Sequence, residues 1–237
     1  AMNHEGMRYS LASREVIADS VECVVQGHRF DGMVLIPSCD KVVPGMLIAA
    51  CRLNIPTVVV TGGPMLAGRD QDGSETDLNT LFDAVGAVTA GTMSEDKCKW
   101  YEDSACPTCG SCSGMFTANS IGCLCEALGI ALPGNGTIPA VYSARVRLAK
   151  HAGMKVMDLV ANNICALDII NEHALHNGMA LDMAFGGSTN TMLHLTAISH
   201  AAGCPVSMDD WDAICQHTPN ITRIAPAGPL HIEDLNA

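Results

Sequence analysis

Two short apolar runs with a helical stretch between them constrain the fold more than any other feature. Gly32-Met-Val-Leu-Ile-Pro37 and Pro56-Thr-Val-Val-Val-Thr61 are continuous, rich in strand-forming residues and bounded by turn residues, and Pro44 opens a helical stretch running to about Leu53. Strand, helix, strand in that order predicts a buried parallel pair joined by a right-handed crossover. The chain is therefore expected to be α/β, a layered fold with a mainly parallel buried sheet flanked by helices. In open sheets of this kind ligands bind beyond the carboxyl ends of the strands. That rule nominates two loops, Ser38–Lys41 and Thr61–Pro64.

The remaining segments read mostly as helices. Ser10–Gln26 carries apolar residues at Leu11, Val16, Ile17, Val21, Val24 and Val25, with Ser10 as N-cap and Gly27 as stop. Further helices are expected over Leu81–Ala90, Phe116–Leu128, Ile138–Lys150, Met154–Ala166, Met192–Ala202 and from an N-cap at Ser207 to about His217. Asp70–Asn79 reads as a polar loop, and Ser94–Ser104 as a charged, exposed segment. With 237 residues, 48% hydrophobic and only 4% aromatic, the core is expected to be built from Ala, Val, Ile, Leu and Met.

Acidic residues outnumber basic ones 25 to 13, for a net charge of −12, with no basic cluster. This argues against nucleic acid or another polyanion as partner. The longest apolar stretches fall well short of the ~18 residues that suggest a membrane span. The N-terminus has no basic-then-apolar leader, so the expected location is cytoplasmic and away from membranes. Disulfides do not normally persist there, so twelve cysteines call for another explanation.

Cys106, Cys109 and Cys112 form C-x2-C-x2-C in a Gly/Ser-rich loop, a spacing at which thiolates can converge on one soft metal or an iron-sulfur cluster. Buried thiols in a tight turn are the alternative. Cys39-Asp40-Lys41 follows the first predicted strand and places a soft ligand beside a hard oxygen ligand. Alternatively, it is an ordinary approach to a helix N-terminus. Gly186-Gly187-Ser188-Thr189-Asn190 precedes a helix, where backbone N–H groups can hold a carboxylate or phosphate, or where Ser188 or Thr189 simply caps. His194 and His200 are six apart, do not share a helix face and read as structural or surface residues. Cys23, Cys51, Cys123, Cys125, Cys165, Cys204 and Cys215 read as small core residues.

Six stretches together resemble the dihydroxy-acid/6-phosphogluconate dehydratase family: Gly6–Ser20, Ser38-Cys-Asp-Lys-Val-Val-Pro-Gly-Met46, Gly62-Gly-Pro-Met65, Ala105-Cys-Pro-Thr-Cys-Gly-Ser-Cys-Ser-Gly-Met-Phe-Thr-Ala-Asn119, Leu132-Pro-Gly-Asn-Gly136 and Gly186-Gly-Ser-Thr-Asn-Thr191. The likeness runs end to end and is greatest to the dihydroxy-acid dehydratases of branched-chain amino acid biosynthesis (valine and isoleucine). The 6-phosphogluconate dehydratases lack the full Cys-Pro-Thr-Cys-Gly-Ser-Cys run. Sugar-acid (aldonate) dehydratases and, on C-x2-C-x2-C alone, an iron-sulfur or zinc module are the alternatives.

The resemblance implies a hydro-lyase that dehydrates a 2,3-dihydroxy carboxylate to a 2-oxo acid. It implies an iron-sulfur cluster, 2Fe-2S or 4Fe-4S, held by three separated cysteines, of which Cys39 and Cys112 are two. Cys106 and Cys109, nominated by spacing, are then not ligands. It further implies Mg2+ held by Asp40 and by Lys41 as a carbamate, with Ser188, Thr189 and Asn190 near the substrate. The family's remaining cysteine and a magnesium-binding Asp are expected upstream. Its Ser base and a Glu ligand are expected in a C-terminal β-rich domain beyond Ala237. The expectation is thus a single α/β domain over residues 1–237, truncated at both ends, with no catalytic base of its own and inactive alone, from a protein that is a homodimer or homotetramer when intact.

Overall fold

The structure, a computed structural model, describes residues 4–237; residues 1–3 lie outside the described residues. Helix α1 (Ser10–His28) leads into strand β1 (Met33–Leu35), helix α2 (Val42–Leu53) and strand β2 (Thr57–Val59). The two strands pair in parallel, Met33 beside Thr57 and Leu35 beside Val59. Ala131 adds a parallel bridge to Val59 on the other edge. The pleat sends alternate side chains to opposite faces. Met33, Leu35 and Val59 join a core with Leu47 and Ile48 of α2, while Val58 and Val60 join Ala152 and Leu159 on the opposite side. Helices thus cover both faces of a small parallel sheet, as the tandem of apolar runs predicts.

Other boundaries differ from the sequence reading for identifiable reasons. A 3-10 helix (Glu5–Tyr9) runs directly into α1, so Tyr9 rather than Ser10 is the N-cap, with no side-chain bond. The helix passes Gly27 and ends where Arg29 takes a left-handed conformation, φ 56°. Asp70–Asn79 is not simply a loop. Strands β3 (Gly68–Arg69) and β4 (Glu75–Thr76) form a short antiparallel hairpin, and α3 (Leu78–Thr89) starts early because Asp77 and Thr80 make a reciprocal capping box. The charged segment is helix α4 (Glu95–Ser104), capped by Ser94 and tied to the hairpin by Lys97 and Tyr101, both hydrogen-bonded to Asp70.

Helix α5 (Thr117–Ala127) follows the cysteine loop. The helices expected over Ile138–Lys150 and Met154–Ala166 are one, α6 (Ser143–Asn162); Gly153 lowers helix propensity without breaking it. After the short α7 (Ala166–Ile169) comes α8 (Glu172–Phe185), absent from the sequence reading, stopped by Gly186 at φ 69°. Helices α9 (Thr189–Ala201), α10 (Met208–His217) and α11 (Ile232–Asn236) complete the chain. Among the described residues no helix is long and apolar enough to cross a membrane.

Candidate functional site

The loops leaving β1 and β2 lie against each other at the carboxyl end of the sheet. Gly62 donates its N–H to the Pro37 carbonyl (3.0 Å), and a Cβ at Gly62 would stand 2.6 Å from Ser38 Oγ. Cys39, Asp40 and Lys41 form the approach to α2, with the Val43 and Gly45 N–H groups bonded to the carbonyls of Cys39 and Lys41 (both 3.1 Å). The Cys39 thiol is exposed and donates to Asp40 Oδ1 at 3.6 Å. Asp40 Oδ2 pairs with Lys41 Nζ at 3.0 Å; the Lys41 side chain is only 12% exposed, while that of Asp40 is 40% exposed.

The cysteine loop is laid onto the segment after β2. Ser111 donates to the Gly63 carbonyl (3.0 Å) and accepts from Met65 N–H (2.8 Å), while Thr108 Oγ1 accepts from Leu66 N–H (3.0 Å). Asn119, in the first turn of α5, closes the loop from inside: its amide donates to the carbonyls of Cys112 and Gly114, and its oxygen accepts from Ser111 Oγ (2.6 Å). Cys112 is consequently half-buried. Burial pushes its thiol pKa up, and the charges of Cys106 and Cys39 add to the effect. The loops carrying Cys39 and Cys112, 73 positions apart in sequence, thus both bond to the segment after β2, one through Pro37 to Gly62 and the other through Ser111 to Gly63. Cys106 and Cys109 are exposed on the same loop.

Beneath these loops lies a bonded frame that residue spacing does not reveal. Arg145, nearly buried, donates to the carbonyls of Thr61 (3.1 Å) and Ile138 (3.1 Å). Burial holds its pKa down to about 10. Asn135 accepts from Thr61 N–H (2.7 Å) and donates to the Gly122 carbonyl (2.9 Å), and Glu126 accepts from the N–H groups of Gly134 and Gly136 (2.8 Å each).

Ser188, Thr189 and Asn190 start α9 close behind the cysteine loop. Ser188 caps the helix through Asn190 N–H (3.3 Å), and Ser188 Oγ and Asn190 Nδ2 both reach Thr117 Oγ1 of α5 at 2.9 Å. Ser188 therefore does the ordinary work of an N-cap, and Thr117 ties that helix start to the one following Cys112. Asp182 lies alongside, buried, bonded to Thr191 Oγ1, with Oδ1 unpartnered and its pKa pushed by burial up to about 6.

The structural reading of His194 holds for burial but misses its neighbours. Its ring is fully buried, Nδ1 lies 3.2 Å from Arg14 Nη1, and Nε2 has no partner. Nothing in residue spacing links positions 180 apart. A second unanticipated cluster joins the C-terminal segment to the hairpin. His231 bridges Glu75 (2.9 Å) and Asp77 (3.4 Å), and these hydrogen bonds, that to Asp77 first, raise its pKa against burial. Ligand atoms of Glu75, His231 and Asp234 lie within 4.8 Å of one another. Arg69 pairs with Glu75 (2.8 Å), however, and Asp234 accepts the His231 N–H (2.8 Å), so the group reads as an ion-pair lock. The adjoining cavity of about 440 Å³, lined by Asp77, Ala225, Pro229 and His231 among others, is not lined by Cys39, Asp40, Lys41 or Cys112.

Comparison with known proteins matches residues 1–237 to the family model described as dihydroxy-acid/6-phosphogluconate dehydratase N-terminal. The chain is 60% identical over 237 residues to a dihydroxy-acid dehydratase of Maridesulfovibrio salexigens, covering 100% of the chain and 42% of that protein. It is 59% identical over 236 residues to that of Caldanaerobacter subterraneus subsp. tengcongensis, with 100% and 42% covered, and 57% identical over 237 residues to that of Clostridium botulinum, with 100% and 43% covered. The chain thus spans about 42% of the length of these relatives.

Proposed function

From the premise that the chain belongs to the dihydroxy-acid/6-phosphogluconate dehydratase family, we propose that the intact protein removes water from a 2,3-dihydroxy carboxylate to give a 2-oxo acid, in the biosynthesis of valine and isoleucine. One observation carries the reading: the Cys39-Asp40-Lys41 loop beyond β1 and the loop of Cys112 before α5 both bond to the segment that follows β2, through Pro37 to Gly62 and through Ser111 to Gly63. The donor set fits the expected groups. Two thiols on separate loops suit iron, and an accessible carboxylate suits magnesium.

In this reading Cys39 and Cys112 hold the iron-sulfur cluster as thiolates, and Asp40 and the carbamate of Lys41 hold Mg2+. Bound there, the two groups supply Lewis-acid assistance to a departing hydroxyl and charge neutralisation at a carboxylate and its neighbouring hydroxyl. Ser188, Thr189 and Asn190 orient the substrate carboxylate at the start of α9, where the helix dipole favours an anion. Asn119 and Arg145 keep the two loops in register. A proton leaves C2 and hydroxide leaves C3, one water in all, and the enol tautomerises to the 2-oxo acid. The resemblance assigns the proton acceptor to a serine outside this chain. It also implies a homodimer or homotetramer, and exposed apolar side chains on α1, Val16 and Val24 among them, support a buried partner surface. The net charge of −12 and the abundance of free thiols support a reducing, cytoplasmic setting without nucleic acid.

The test is 2-oxo acid formation by the intact, anaerobically prepared protein. We expect turnover of 2,3-dihydroxyisovalerate well above that of gluconate. Faster turnover of gluconate moves the assignment to the aldonate dehydratases, and no 2-oxo acid from either substrate by iron-loaded protein overturns the proposal.

A further inference from the structure

We propose that Asp182 is held as a neutral carboxylic acid that donates to Thr191, so that Thr191 can hold the Ser188 carbonyl, and that Asp182 is thereby a positioning residue for the substrate carboxylate at the start of α9; this rests on the reading of Ser188–Asn190 above. The geometry is that of one hydroxyl between two acceptors. Thr191 Oγ1 lies within hydrogen-bond reach of both Asp182 Oδ2 and the Ser188 carbonyl oxygen. A threonine hydroxyl carries one proton, whereas an ionised carboxylate and a carbonyl only accept. With Asp182 ionised, one of the two contacts has no proton between its oxygens. With Asp182 protonated, both bonds form: the acid donates to Thr191 Oγ1, and Thr191 donates to the Ser188 carbonyl.

The surroundings favour the neutral form. Asp182 is 1% exposed, and its Oδ1 has no hydrogen-bond partner, a cost that falls when the group is uncharged. The carboxyl lies under the glycine turn: a Cβ at Gly187 would collide with Oδ1 and stand 2.8 Å from the Phe185 ring. Among the described residues no cation pairs with it. Cys123 and Cys125 of α5 are thiols whose pKa burial pushes up, and Glu126 gives both oxygens to the Gly134 and Gly136 N–H groups. His194, one turn along α9, is neutral, its pKa held down to about 4 by burial first. Helix α10, with Asp210 and His217, packs on another face of α8, against His176 and Ala180. Asp182 also stands in the last turn of α8, where the helix dipole disfavours an anion. The functional consequence follows from the start of α9, whose positive end the substrate carboxylate needs. An ionised Asp182 competes for that field, and a neutral one leaves it free.

The experiment uses the intact, anaerobically prepared protein and two readouts. Infrared difference spectra between about pH 5.5 and about pH 8 detect a protonated carboxyl group directly, and KM and kcat for 2,3-dihydroxyisovalerate are measured over the same range. The unsubstituted protein is expected to show a carboxylic-acid band that fades as pH rises and that Asp182→Asn lacks. Its KM should rise about tenfold across the window, as expected for one like charge near the bound carboxylate, with kcat changing less. Asp182→Asn keeps a donor toward Thr191 and cannot ionise, so its KM should stay at the low-pH value throughout. Should that variant fail to fold, Thr191→Val, which removes the hydroxyl between the two acceptors, is expected to raise KM about tenfold at the acid end, and Thr191→Ser to restore it. Absence of the band, a KM in folded Asp182→Asn that follows the unsubstituted protein's pH profile, or an unchanged KM in Thr191→Val where that variant stands in, overturns the role of Asp182. Asn190→Ala separates this failure from failure of the substrate site itself. An unchanged KM in Asn190→Ala removes the carboxylate site at α9 and the role of Asp182 with it; a raised KM keeps the site, so that a negative result at Asp182 then counts against Asp182 alone.

Discussion

Asn119 donates its side-chain amide to the main-chain carbonyl of Cys112 and so fixes the backbone that presents the half-buried thiol. The same amide reaches the Gly114 carbonyl (2.7 Å), and the side chain is nearly fully buried. Asn119→Asp replaces two donated hydrogen bonds with a carboxylate facing carbonyl oxygens. Leaving such buried groups unpaired costs about 1–3 kcal/mol. We expect a lower denaturant midpoint and, in the intact protein, reduced iron content. A variant with unchanged midpoint and iron content would show that the loop holds its shape without Asn119.

Gly110 has φ +129°, and a Cβ there would stand 2.6 Å from the Met65 nitrogen and the Pro64 carbonyl carbon. Gly110→Ala therefore meets backbone that cannot move aside and adopts a conformation costing roughly 1–3 kcal/mol on its own. The prediction is a melting temperature lower by at least several degrees, at about 2–4 °C per kcal/mol for a chain of this size. Gly153→Ala has open space around it and lies within α6, and is expected to melt no lower than the parent.

Protonated His231 ties the C-terminal segment to Glu75 and Asp77, with Arg69, Glu233 and Asp234 the other charged groups around it. That segment also holds the cysteine loop, through Met115 N–H to the Ala225 carbonyl (2.6 Å) and Ile232 N–H to the Ser113 carbonyl (2.8 Å). The folded pKa of His231 lies above its ordinary 6.5. The stabilisation is therefore complete below pH 6.5 and is lost as pH rises through the raised value. Amide exchange at Met115 and Ile232 should accelerate across that window, and His231→Gln should abolish the dependence. Asp77 works in the opposite sense. Burial pushes its pKa up, but hydrogen bonds from His231 and Thr80 bring it below the ordinary 3.8, so its contribution is present above that value and fades in stronger acid.

The parallel unit was legible in the sequence because Gly32–Pro37 and Pro56–Thr61 are short apolar runs at strand length, the second buried on both faces and the first burying Met33 and Leu35 with Val34 half-buried. Helix α8 was not, since its inward residues include Gly178 and Asp182 among Ala174, Leu175, Met179 and Phe185, a mixture that blurs helical periodicity. Gly186 was legible as a turn but serves as the stop of α8 as well as the approach to α9. At the site, Cys39, Asp40 and Lys41 stood out by chemistry and position after a strand. Arg14, His194, Asn119 and Arg145 did not, because each acts through partners set by the fold: two helices 180 positions apart for Arg14 and His194, and main-chain carbonyls for the other two.

Metal and sulfide analysis of the anaerobically prepared intact protein tests the central claim most directly, read across Cys39→Ser, Cys112→Ser and the double variant Cys106→Ser/Cys109→Ser. The account predicts iron with inorganic sulfide and Mg2+ in the unsubstituted protein and in the double variant, and loss of iron and sulfide when either Cys39 or Cys112 is replaced. Zinc without sulfide, or a cluster that survives loss of both Cys39 and Cys112 but not of Cys106 and Cys109, contradicts it.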